Sequence, residues 1–183
     1  NDIGVIPDPL ELTKKPSYSA QLSSKGEEFT YTVNYNFNNV PYEFEKNVML
    51  TDPIDYRLEV VSHSATGPEG QTWKTRVVEQ ADSDGNMRSV VVADVPSEGK
   101  NYNYLIMKKA QLRMTVRLKE KYRQNQASKE YLAILQNNNG YGLVNQGNIM
   151  WNGEDNTPNQ DAHAKTDTKA STIRRSNPIY VKP

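Results

Sequence analysis

Apolar and polar residues alternate with a period of two along much of this chain, which is the signature of half-buried β-strands. The clearest run is EEFTYTVNYNF, where Phe29, Tyr31, Val33, Tyr35 and Phe37 share one face and threonines and asparagines fill the other. KNVMLTD places Val48, Leu50 and Asp52 on one face, and AQLRMTVRLKEKY does the same with Leu112, Met114, Val116 and Leu118. Near the start, LELTKK aligns Leu10, Leu12 and Lys14. Further strands are predicted in YRLEVVSHS, TWKTRVVEQ, MRSVVVADV, YNYLIMK and LVNQGNIMW, and a last one in RRSNPIYVKP, where Asn177 shares parity with Ile179 and Val181. SSKG, ADSDGN, PSEGKN and NNNGYG supply turns, and the Asp84-Gly85 pair suits a tight hairpin. Only SKEYLAILQ has helical spacing, through Tyr131, Leu132 and Leu135 behind a Ser128 cap.

About eight to ten strands with one short helix predict an all-β fold, an antiparallel immunoglobulin-like β-sandwich. The proline-containing segment 1–8 reads as a linker and residues 9–183 as a single domain. Within it, 152–176 is polar and reads as a long loop or insertion.

Composition narrows the functional classes. Lys plus Arg and Asp plus Glu are both 22, so the formal net charge is zero and no basic surface for nucleic acid is indicated. The hydrophobic fraction of 36% implies a thin core under a large polar surface. There is no cysteine, which excludes disulfides and thiolate metal sites. No apolar run is long enough to cross a bilayer. No signal peptide is evident and the chain starts at Asn1, so an excised or processed piece of a longer protein is expected.

Candidate chemistry arises from three polar residues at inward parity: Lys14, Asp52 and Asn177. Burying a lone charge costs several kcal/mol unless it is paired or neutralised. Desolvation lowers the pKa of an amine and raises that of a carboxyl, so a neutral amine and a protonated acid can coexist in a core. Beside them a carboxamide is an electrophile. The acid polarises its carbonyl, the amine attacks, ammonia leaves, and an isopeptide bond remains. Positioning alone drives such a step, with no cofactor. Taken singly, Asn177 also reads as a turn residue before Pro178, and Lys14 as a solvated lysine at a strand end.

The order LTK, FTYTV, LTD, a long alternating strand, GLVN and a closing SNPIYVKP resembles the isopeptide-forming immunoglobulin-like domains of Gram-positive surface proteins, among them pilin shaft and collagen-adhesin A-type domains. The resemblance runs through most of the chain in short pieces. It implies that Lys14 bonds to Asn177 with Asp52 as the assisting acid. Lys15 is the alternative nucleophile. It further implies a stalk domain of a cell-wall-anchored adhesin or pilin, at the bacterial surface, with neighbouring domains of the same protein as partners and no turnover of substrate. The alternative is a binding domain of the same fold that contacts a host extracellular protein or glycan through its loops.

Other motifs carry less. DSDGN, from Asp82 to Asn86, faintly resembles a calcium loop but lacks the downstream glutamate. His63 and His163 read as surface residues, and Trp73 and Trp151 as core or rim. Tyr102, Tyr104 and Tyr141 are candidates for an adhesive surface.

Overall fold

A computed structural model of the chain describes residues 10–16, 26–40, 44–124, 141–159, 162–166 and 171–174. They form two five-stranded antiparallel sheets facing each other and a two-stranded sheet. The first sheet runs in the order β1 (Leu10–Pro16), β2 (Phe29–Phe37), β8 (Lys108–Leu118), β4 (Leu58–Thr66) and β5 (Thr72–Trp73). The second runs β11 (His163–Thr166), β10 (Asn148–Trp151), β3 (Met49–Pro53), β7 (Met87–Asp94) and β6 (Thr75–Ala81). The small sheet pairs β12 (Ser171–Arg174) with β9 (Tyr141–Asn145).

β2 is flanked on both sides, and its alternation is complete. Phe29, Tyr31, Val33, Tyr35 and Phe37 are all buried, with partly buried polar residues between them. In β8, Leu112, Met114, Val116 and Leu118 bury the same face. The opposing sheet contributes Leu50, Val91, Ala93 and Ile149. Rings close the ends: Phe29 meets Tyr31 edge-on at 5.6 Å, and Phe44 lies 5.0 Å from Trp151. Tyr35 Oη donates across the sandwich to the Asn148 carbonyl at 2.9 Å, and at the β4–β6 flank His63 Nδ1 and Thr75 Oγ1 share a hydrogen bond at 2.7 Å.

Several strand expectations are corrected. TWKTRVVEQ is two strands in different sheets, because the chain crosses from the first sheet to the second at Lys74. YNYLIMK is not a strand. Asn103–Leu105 form a 3₁₀ turn between Lys100 and Met107, which both have positive φ, and Asn101 Oδ1 accepts the Asn103 N–H. The long strand through Leu118 ends there, and KEKY passes into the helix α1, Glu120–Gln124. LVNQGNIMW is broken at Gln146 and Gly147 into β9 and β10. The segment 152–176 is no plain loop, since it contains β11 and β12. The helix expected in SKEYLAILQ, the linker at 1–8 and the closing strand around Asn177 lie outside the described residues.

The DSDGN stretch is a hairpin turn. Gly85 has φ +84°, and Asp82 Oδ1 accepts the N–H groups of Asp84 and Asn86, which commits that oxygen to the turn. His63 and His163 are exposed, while Trp73 and Trp151 are buried in the core. Tyr102 is buried, and Tyr104 donates its hydroxyl to the Pro96 carbonyl.

Gly147 marks the closest approach of the β9–β10 connection to the first sheet. A methyl group there would lie 2.9 Å from Val33 Cγ1 and 3.0 Å from Cγ2. Overpacking of this kind costs about 1–3 kcal/mol. Gly147→Ala is therefore expected to lower the denaturant midpoint at unchanged slope, with partial recovery when Val33 is also shortened to Ala. Chemical denaturation of the two variants checks this.

Candidate functional site

The site is built on β3 and β9, which meet at the Asn145–Pro53 hydrogen bond, against the inner face of β2. β1 pairs with β2 in the register Leu10↔Phe37, Leu12↔Tyr35 and Lys14↔Val33. Leu10 and Leu12 are buried, and so are all three of their β2 partners. Lys14 thus occupies the inward register position of β1, opposite Val33. Lys15 pairs with Thr32, on the other face.

From the opposing sheet comes Asp52, the register partner of Val91 in the middle of β3–β7 pairing. It has 0% exposure. Its neighbour across the core is Tyr31, whose phenol is pushed well above its ordinary range, first by burial and then by the charges of Asp52 and Asp55. Tyr31 and Val33 sit two residues apart on the inner face of β2, so Asp52 and the Lys14 register position meet the same stretch of that strand.

The third contributor was hidden in the sequence. Asn145, at the end of β9, is 3% exposed. Its Nδ2 donates to the Pro53 carbonyl at 3.2 Å, next in chain to Asp52, while its Oδ1 is buried without a hydrogen-bond partner. Two residues on, Gly147 rests against Val33. Thr51, Asp52 and Asn145 are the buried polar or charged residues among those described. The structure therefore brings a core carboxamide to the residue that follows Asp52, while Lys14 is the register partner of Val33. Asn177 lies outside the described residues. Asn145 was not among the sequence candidates, although it shares parity with the buried Leu143, Ile149 and Trp151, and that alternation was the available signal.

Among the described residues no group of three or more His, Asp or Glu side chains is arranged to hold a metal ion. No described helix is long and apolar enough to cross a membrane.

The two facing sheets define an antiparallel β-sandwich of the kind found in surface proteins of Gram-positive bacteria. Solved structures with the same fold include the full-length major pilin SpaD of Corynebacterium diphtheriae, at 16% identity and TM-score 0.52, over 90% of this chain and 34% of that one. The major pilin SpaA of the same organism matches at 14% identity and TM-score 0.55, over 86% of this chain and 37% of that one. In sequence, the chain is similar to platelet adherence protein A of Streptococcus gordonii, with 86% identity over 183 residues. It aligns over its whole length but spans only 5% of that relative. No protein-family model matches.

Tyr31 provides a readout of the site. Below about pH 10 its phenol is neutral in folded and unfolded chains alike. Above that, the unfolded chain ionises while the buried phenol resists, so stability falls as pH rises. Tyr31→Phe is expected to flatten this alkaline decline by close to one proton, about 1.4 kcal/mol per pH unit. Urea midpoints measured between pH 9 and 11 (roughly, bracketing the free phenol value) would show an unchanged slope if Tyr31 were ionised in the fold.

Proposed function

We propose that this domain is a load-bearing module of a cell-wall-anchored bacterial surface adhesin, stabilised by an isopeptide bond that it forms on itself. The carrying observation is the fully buried Asp52 beside a buried carboxamide, on the side of the core that the inward position of Lys14 faces. The nucleophile is Lys14, with Lys15 as the alternative that its outward register disfavours. Asp52 is the assisting acid. It protonates the amide oxygen as the neutral lysine nitrogen attacks the amide carbon, takes a proton from that nitrogen and passes it to the departing one, and recovers its own proton when the carbonyl re-forms. One C–N bond forms, one breaks, and ammonia leaves.

Two carboxamides compete for the acceptor role. Asn177 follows from its place in the closing SNPIYVKP motif. Asn145 is favoured by geometry, because it is in the core one residue from Asp52 with an oxygen open to polarisation. We take Asn145 as the leading acceptor. The SpaA pilin, which has this fold, is described as having stabilising isopeptide bonds, which supports the chemistry without locating it here.

The use of such a bond follows from its position. A tie from β1 to β9 encloses more than a hundred residues, roughly 5 kcal/mol by the loop-entropy model. More directly, it holds the first strand to the pair β9–β12, so tension does not peel β1 from the sheet. Partners in this reading are neighbouring domains of the same protein at the cell surface. A host protein or glycan is a further partner, in keeping with the name of the platelet adherence relative.

Intact mass tests the proposal. The unaltered chain is expected to be lighter than its sequence mass by one ammonia, and Asp52→Ala to restore the full mass. Asn145→Ala is expected to restore it as well, whereas Asn177→Ala leaves it reduced. The reverse pattern for the two asparagines moves the bond to Asn177, and a full mass in the unaltered chain rejects the cross-link.

A further inference from the structure

The outer face of the second sheet carries its own small apolar cluster of Met49, Val90 and Val92, flanked by Val78 and Met150. The segment after β10 folds back over part of it. Arg76, paired with Asp94 at 2.9 Å, donates to the Asn156 carbonyl, and Gln80 Nε2 donates to the Pro158 carbonyl at 2.8 Å. Between this strap and the sheet lies a cavity of about 690 Å³, in the size range of ligand sites. Its lining includes Thr51, Asp82, Arg88, Val90, Asn148 and Met150.

Arg88 is the unusual member. Arg57, Arg76, Arg117 and Arg123 each hold a carboxylate, and Arg113 is exposed to water. Arg88 is half-buried on the cavity wall, and its Nε is buried with no hydrogen-bond partner. Thr51 Oγ1, in the same lining, is likewise buried without a partner. A buried N–H donor without a partner is costly, and the planar fork of the guanidinium matches a carboxylate; the cavity's own carboxylate, Asp82, has one oxygen committed to its hairpin turn. The apolar floor suits a short aliphatic stem. No aromatic ring is found among the lining residues, so the stacking platform that a sugar ring would use is missing from them.

We propose that this cavity is a binding site for the carboxylate side chain of an acidic peptide segment, held by Arg88 with Thr51 in support and enclosed by the 153–159 strap. The site lies on the opposite face of the second sheet from Asp52 and Asn145 and does not depend on the cross-link. It gives the domain a recognition surface in addition to a mechanical role.

Nitrogen–proton NMR of the whole domain tests this, using acetyl-Ala-Asp-Ala-amide against acetyl-Ala-Asn-Ala-amide at matched ionic strength. Saturable shifts at the Arg88 Nε–H and at the Asn148 amide are expected with the acidic peptide alone. Arg88→Gln is expected to weaken binding about ten-fold or more, and Thr51→Val by a smaller factor, with thermal midpoints near that of the parent. Equal responses to both peptides, no saturable response, or binding undiminished in Arg88→Gln would overturn the proposal. A response to N-acetylneuraminic acid in place of the acidic peptide would replace a peptide partner with an acidic sugar.

Discussion

A carboxyl group in the centre of an apolar core is the constraint around which this domain is organised. Asp52 sits on the inner face of β3 with no exposure, between Leu50 and the β3–β7 pairing. A position of that kind is expensive for a charge and is tolerated only where the surroundings answer it. Its surroundings are assembled from elements distant in sequence: Tyr31 across the sandwich, whose ionisation it opposes, and Asn145 at the end of β9, which donates to the carbonyl of the next residue, Pro53. Each depends on strand register. A slip of one residue in β3 would turn Asp52 outward and bring Thr51 in.

Register also separates what the chain made legible from what it concealed. β2 and β8 could be read directly, because both are paired on two sides and bury one face each, leaving a clean period of two. The inward parity of Asp52 came from the same rule. Where tertiary context breaks a strand, the rule fails. Thr72–Ala81 looks continuous in sequence but changes sheet at Lys74. Asn145 obeys the rule, in step with Leu143 and Ile149, but lies in an asparagine-rich stretch where one more carboxamide carries no signal of its own. The stretch containing Tyr102 and Tyr104 has strand-like composition, but local asparagine hydrogen bonding and two left-handed residues bend it into a turn.

The cavity under the strap was illegible for a different reason. The 152–176 segment is polar, and polarity alone predicts a loop. Its role becomes visible only when Arg76 and Gln80, from β6, are seen gripping its carbonyls. Arg88 looks ordinary in sequence. It becomes notable by contrast with arginines that have found acids. The second sheet thus carries polar chemistry on both faces, with Asp52 inside and Arg88 outside, on adjacent strands of one ladder.

The crossing at Lys74 has a mechanical corollary. Because β5 and β6 are consecutive in chain, one flank of the sandwich is hinged by the polypeptide itself, and pulling cannot part the two sheets there without stretching peptide bonds. At the opposite flank β1 and β11 form the two margins, and there the β9–β12 pair intervenes: β12 lies against β1, and β9 runs within two residues into β10 of the second sheet. The domain resembles a book bound along one edge by a single residue and clasped along the other by a small two-stranded sheet, so a load on its margins meets chain at both.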